Sequence, residues 1–234
     1  MIYKMTRIIR KVCSSTCLDE QLLIVIGAII IILLGGVAAA AADPTDGFHE
    51  VRLSEHNFDI QRPYDLPLSQ RYSYKNGVRR LWVYGSDKSH SQGSHTPPRT
   101  EIRIRGLDYH SGVWQMEGHV YVPKGTSGAS LMQVHGGSGV SSTVMVRIYS
   151  GDLRYYSGDV IARGMYDKWF RLNMIHDADA GKVAVYVDGK EVFRHDARGK
   201  APAFYFKCGV YAAPKDHSRY MESRWKNIKM YKKK

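Results

Sequence analysis

The sequence predicts an all-β protein, a sandwich or a barrel, and three observations carry that expectation. After Asp43 the chain is a series of short runs in which apolar and polar residues alternate. Turn residues separate the runs, and neither a convincing amphipathic helix nor an internal repeat interrupts them. Alternation with a period of two is the mark of half-buried strands, and many short strands with regular turns make a sandwich or a closed barrel. Residues 43–234 are the right length for one domain around one core, and a hydrophobic content of 44% is ordinary for such a core.

Taken in order, the expected strands are "RRLWVYG" (79–85), "TEIRIRG" (100–106), "VWQMEGHVYVP" (113–123), "ASLMQVHGG" (129–137) and "STVMVRIYSGDLRYY" (142–156). "DKWFRLNMIHDADAGK" (167–182) reads as a strand, a turn and a return. The clearest hairpin is "KVAVYVDGKEVFRHD" (182–196), because Asp188-Gly189 is a two-residue turn that suits right-twisted strands. "AFYFKCGVYA" (203–212) and "SRWKNIKMY" (223–231) close the series. The Ser-, Gly- and Pro-rich stretch "GSDKSHSQGSHTPP" (85–98) is an exposed loop, either a lid or a connector, that leads into the strand at 99–106.

Ahead of this domain lies a leader. Lys4, Arg7, Arg10 and Lys11 precede an uncharged run, Leu22–Ala42. Ala40 and Ala42 satisfy a small-residue cleavage rule, so a secretory signal removed before Asp43 is the first expectation. Asp19 and Glu20 just before the run are untypical, and as a helix it would reach roughly 30 Å, so an uncleaved membrane anchor is the competing one. Either way the basic end stays cytosolic and the domain enters the secretory pathway, bound for the exterior, the wall or the vacuole. Contact with a membrane is expected only through this segment. Cys13 and Cys17 belong to the leader, so Cys208 stands alone and no disulfide can form within the domain. There is no N-x-Ser/Thr sequon at Asn57, Asn76, Asn173 or Asn227.

The formal net charge is +12, and four basic against two acidic side chains in residues 1–42 leave +10 on residues 43–234. That excess favours a polyanionic partner. Export argues against nucleic acid and leaves anionic lipid or acidic polysaccharide. The terminal Lys232–Lys234 run reads as a solubilising tail.

Three of the strands carry chemistry on one face. Thr100, Ile102 and Ile104 share one side of the first, and Arg99, Glu101, Arg103 and Arg105 the other. Gln133 and His135 point together, opposite Met132 and Val134. Lys207, Gly209 and Tyr211 share a side opposite Phe206, Cys208 and Val210. If the three are neighbours in one sheet, their polar sides merge into one floor, which Gly136, Gly137 and Gly209 would keep open to a ligand. Taken singly, each residue has a plain structural reading: a hydrogen-bonded histidine, an interface tyrosine, a solvated row of ion pairs.

The blocks "RTEIR", "QVH" and "YFKCGVY", in that order, resemble the three signature blocks of the alginate lyase 2 superfamily of polysaccharide lyases. "DPTDGF", "PYDLPLSQRYS", "NGVRRLWVY", "GDLRYY" and "YMESRWKNIK" are similar to its plant citrate-binding-protein-like branch, so the resemblance covers 43–231. It implies a β-jelly roll of two antiparallel sheets with a concave groove, and a metal-independent β-elimination on a uronate-containing polysaccharide with no cofactor. In that reaction a proton leaves C5, the O4 linkage departs, and a C4–C5 double bond remains. The carboxylate beside C5 must be neutralised for the proton to leave, which calls for fixed donors. Arg99 or Arg103 can supply a bidentate pair and Gln133 an amide. By the resemblance, Tyr211 protonates O4 and could also serve as base. His135 is the base or the neutralising group. Lys207 and Arg105 join Arg103 in holding carboxylates, and Glu101 orients the arginines. Ala213 stands where the lyases often carry Gln, which removes one sugar contact.

The competing expectation is a non-catalytic binder of citrate or of an acidic glycan, since an arginine floor needs no acid–base pair to hold carboxylates. A structural carbohydrate-binding wall protein is a third. No metal site is expected, because His90 and His95 sit in the loop and no pair has a ligand arrangement. A monomer is expected.

Overall fold

In the computed structural model, which describes residues 42–136, 141–199 and 201–234, the alternating runs become fifteen strands in two antiparallel sheets. The strands are β1 (Phe48–Val51), β2 (Phe58–Gln61), β3 (Tyr72–Lys75), β4 (Val78–Tyr84), β5 (Arg99–Ile104), β6 (Val113–Tyr121), β7 (Ala129–Gly136) and β8 (Ser142–Tyr149). They continue with β9 (Asp152–Tyr155), β10 (Val160–Ala162), β11 (Trp169–Asp177), β12 (Lys182–Val187), β13 (Lys190–Asp196), β14 (Phe204–Ala212) and β15 (Tyr220–Lys233). One sheet runs β13-β12-β11-β6-β15-β4-β3, with β1 added alongside β15. The other runs β10-β9-β8-β7-β14-β5-β2. Neither closes on itself, so the fold is a jelly-roll sandwich and not a barrel.

The inward residues of both sheets make one core. Leu81 and Val83 of β4, Met116 and Val120 of β6, Phe170 and Leu172 of β11 and Trp225 of β15 meet Ile102 and Ile104, Met132 and Val134, and Phe206 and Cys208 from the opposite sheet. Cys208 is a free, buried thiol whose pKa burial pushes well up. It therefore behaves as one more small hydrophobe. Asp188 and Gly189 both take positive φ, 50° and 82°, as the tight hairpin between β12 and β13 requires.

The expected strands all form, and "STVMVRIYSGDLRYY" resolves into the hairpin β8–β9. Four strands were not legible. β1, β2, β3 and β10 are three or four residues long and lie at sheet edges or, for β1, beside β15. The apolar run at 22–42, apart from its last residue, lies outside the described residues, as does Gly137. Among the described residues no helix is long and apolar enough to cross a membrane.

Candidate functional site

The strand order places β5, β14 and β7 side by side, with β14 in the middle. Register then aligns the polar residues in rows across the sheet. Arg99 lies beside Tyr211, Lys207 lies between Arg103 and Gln133, and Tyr205 lies beside His135. At the far edge β2 sets Gln61 beside Glu101. The opposite side of the same strands is the apolar core, so the period of two is what separates chemistry from packing.

Buried at the centre is Glu101, only 1% exposed. It accepts hydrogen bonds from Gln133 Nε2 at 2.5 Å and from Lys207 Nζ at 2.6 Å, and Arg99 Nη1 stands 3.5 Å away. Burial opposes charge on this carboxyl, but Lys207, Arg99 and the two hydrogen bonds outweigh it and hold its pKa below the usual range. Lys207 is equally buried, and its pKa is pulled down because Glu101 only partly offsets its desolvation. Ser142 Oγ donates to Gln133 Oε1 at 2.6 Å, which fixes the orientation of the amide. The ammonium of Lys207 is thus held by Glu101 within the floor, and Glu101 ties together Gln133, Lys207 and Arg99 rather than the arginines alone.

Above this layer lie rings and guanidinium groups. The Arg99 guanidinium sits 3.9 Å from the centre of the Tyr211 ring, and that of Arg103 sits 4.0 Å from the Tyr205 ring. Tyr205 in turn stacks on His135 at 4.9 Å between centroids. Arg103 also pairs with Asp108 at 2.5 Å. Burial, and then Lys207, push the His135 pKa down to about 4, leaving the imidazole neutral near pH 7. Burial raises the Tyr211 phenol above its usual value despite Arg99, so it keeps its proton.

Most of these side chains open onto one cavity of about 270 Å3, which Arg103 does not line. Arg99, Gln133, His135, Lys207 and Tyr211 all line it, with Tyr205 and Ser142 from the same sheet, Ser141 just ahead of β8 and Gln61 from the sheet edge. His90 and Thr96 reach it from the loop at 85–98, which therefore overhangs the floor. The loop is held by the pair of Arg71 with Asp87, two hydrogen bonds of 2.7 and 2.6 Å. Among the described residues, several polar atoms buried around this space lack a hydrogen-bond partner: His135 Nδ1, His90 Nδ1, Arg99 Nε and Gln61 Oε1. Orphaned groups are costly, and water or another polar molecule entering the cavity would satisfy these.

Two sequence expectations need correction. Arg105 does not join the floor, because β5 ends at Ile104; Arg105 is exposed, and its backbone pairs with Asn57. Gly209 does not keep the floor open. Its φ is +141°, and an added Cβ would lie 2.4 Å from the Thr100 carbonyl oxygen and 3.2 Å from Leu81, on the core side. It permits a break in register between Cys208 and Tyr211 and a close approach to β5. Likewise a side chain at Gly136 would strike Phe204 and the Ala203 carbonyl. Tyr205, Gln61, His90 and Ser142 escaped the sequence reading. For Tyr205 the signal was available, since it stands two residues before Lys207.

Among the described residues, no group of three or more His, Cys, Asp or Glu is placed to hold a metal ion. The donors gathered here are guanidinium, ammonium and amide, a set that fits carboxylates.

The chain is a two-sheet jelly roll whose floor is cationic and bears a histidine and a tyrosine. A family model described as alginate lyase matches residues 51–232, and the chain belongs to that family. A citrate-binding protein from Hevea brasiliensis is 56% identical over 191 residues, covering 82% of this chain and 80% of that protein. Among solved structures, the alginate lyase AlgAT5 of polysaccharide lyase family 7 superposes with a TM-score of 0.60 at 17% identity, over 81% of this chain and 98% of that one. The family 7 alginate lyase A1-II' gives a TM-score of 0.60 at 14% identity, over 76% and 96%. At such identities these two establish the fold.

Proposed function

We propose that the protein is a metal-independent lyase that cleaves a uronate-containing polysaccharide by β-elimination in this cavity. The observation that carries the reading is the opening of a neutral imidazole, a protonated phenol and a guanidinium-and-amide floor onto one space. A uronate carboxylate docks against Arg99 and the free N–H of Gln133, which stabilise the enolate-like charge that builds as C5–H breaks. His135 takes the C5 proton. The incoming carboxylate raises its basicity from the low value of the empty site. The electron pair of C5–H forms the C4–C5 double bond, the C4–O4 bond breaks, and Tyr211 gives its proton to O4. Arg103 holds the neighbouring sugar's carboxylate, while Glu101 and Lys207 keep the donors aligned. The apolar run at 22–42 supports action in the secretory pathway, wall or vacuole, and mass spectrometry of the mature N-terminus tests whether the run is removed.

The test incubates the purified protein with a panel of polyuronates and follows the ultraviolet absorbance of the unsaturated product. Turnover with one polymer, lowered about 10²–10⁴-fold in Tyr211→Phe, supports the lyase. The acid limb of kcat/KM should fall near pH 4, where His135 gains its proton, and the alkaline limb above the ordinary tyrosine range. A flat trace on every polymer overturns it.

A second reading, a carboxylate receptor without turnover, is favoured by the name of the Hevea relative, "Citrate-binding protein", and by a cavity of about 270 Å3 walled by cations. It predicts that citrate raises the melting temperature while every polymer stays intact.

A further inference from the structure

The outer face of the other sheet carries a second constellation that the cavity chemistry does not use. Trp169 on β11, Tyr121 on β6, Arg224 on β15 and Arg80 on β4 are successive cross-strand partners, so they form one row across four strands. Their chain neighbours Phe170, Val120, Trp225 and Leu81 are in the core, so the row itself faces outward. With strands about 4.8 Å apart, the row is about 14 Å long. Cations lie over rings along and beside it: Arg224 is 5.1 Å from the Tyr121 ring, Lys226 4.5 Å from Trp169, and Arg80 4.7 Å from Trp82. Beside the row, Trp82, Tyr84, Tyr220 and Lys124 line a cleft of about 570 Å3, larger than the histidine-bearing cavity.

The cations are pre-set. Glu222, 2% exposed, accepts from Arg80 and from Arg224, each at 2.7 Å, which fixes the two guanidinium groups side by side. Among the described residues these bonds, with one from Arg80 to Tyr220, use Nη2 of Arg80 and Nε of Arg224. Both side chains stay open to solvent, 44% and 40% exposed. Four cations, Arg80, Arg224, Lys124 and Lys226, stand against two carboxylates, Glu222 and Asp167, so the face keeps a positive balance. Tyr84 and Trp169 stay 39% and 37% exposed even with Arg71 over the one ring and Lys226 over the other.

We infer that this face is a second binding surface for an acidic polysaccharide, on the sheet opposite the cavity. The flat C–H faces of sugar rings stack on Trp and Tyr, and their carboxylates meet the guanidinium N–H groups. A neutral glycan would leave the fixed cations unanswered, and a purely apolar partner would bury them. The imidazole on this face, His119, lies across from Lys226, and binding alone is assigned to the surface. It stands whether or not the cavity turns substrate over.

Affinity electrophoresis in gels containing polyuronate tests this surface. Tyr84→Ala and Trp169→Ala remove exposed rings without threatening the core, and each should weaken retardation about fivefold. Lys124→Glu should weaken it too. Wild-type retardation in all three surface variants overturns the proposal. So does equal retardation by a neutral glucan, or by single-stranded DNA, which would mean that the rings and the charge act without regard to the sugar.

Discussion

Two histidines on opposite sheets show what burial can be used for. His176, on β11, is 1% exposed, and its Nδ1 meets the Tyr109 hydroxyl at 2.8 Å within a nest of aromatic rings. His135, on β7, is half-buried, stacks on Tyr205, and leaves its Nδ1 without a partner beside a cavity. Burial lowers both to a pKa of about 4. Basicity alone therefore does not tell the two apart. The Nδ1 atom does: among the described residues it has a partner in the core histidine and none in the floor histidine.

That contrast can be broken by exchange. His135→Ala should lower turnover of the polyuronate about 10²–10⁴-fold with little change in the urea midpoint. His176→Gln should do the reverse, keeping activity and losing stability. Equal activity losses in both variants would erase the distinction. Next in size is Glu101→Ala, which strands Lys207 and Arg99 without their shared carboxylate and should cost about 3–5 kcal/mol in chemical denaturation. A change within about 0.5 kcal/mol would mean that solvent reaches these cations freely.

The pH dependence sharpens the core side. Because the folded pKa of His176 lies below its unfolded value of 6.5, the unfolded chain takes up the proton first. Stability is full above about pH 6.5 and falls as pH drops toward 4, by about 3 kcal/mol from this one residue. Urea titrations at several pH values check it, and His176→Gln should flatten that part of the curve. The smallest expected effect is Arg103→Lys, which gives up the flat stack on Tyr205 for about 1 kcal/mol. It should raise KM for the polymer and leave kcat near the wild-type value.

The middle of each sheet was legible in the sequence because strict alternation and burial on one face leave only one register. "RTEIR", "QVH" and "YFKCGVY" could be assigned faces residue by residue, and the adjacency of their strands follows the resemblance. What escaped were the edges. "FDIQ" is too short for periodicity to be read, yet as β2 it delivers Gln61 to the cavity. Arg105 follows the alternation on paper, but a strand that stops at Ile104 no longer enforces it. His90 and Thr96 arrive on an irregular loop, held by the Arg71–Asp87 pair and by the Tyr64 N–H on the Ser89 carbonyl, with no periodic pattern to announce it. The break in register at Gly209 is likewise a tertiary fact, since it needs both neighbouring strands.

Gly209 has a consequence for how such a protein can diversify. Its missing side chain is what lets the middle strand sit against β5, and any replacement would lever the two apart. Residues at the mouth, such as Gln61, Thr96 and Ser141, touch the cavity and could be exchanged one at a time to suit a different sugar or a small acid. The hinge of the arrangement cannot be exchanged at all. Descendants of this fold are free to alter what they hold, provided they keep one atom-poor position where the hand is jointed.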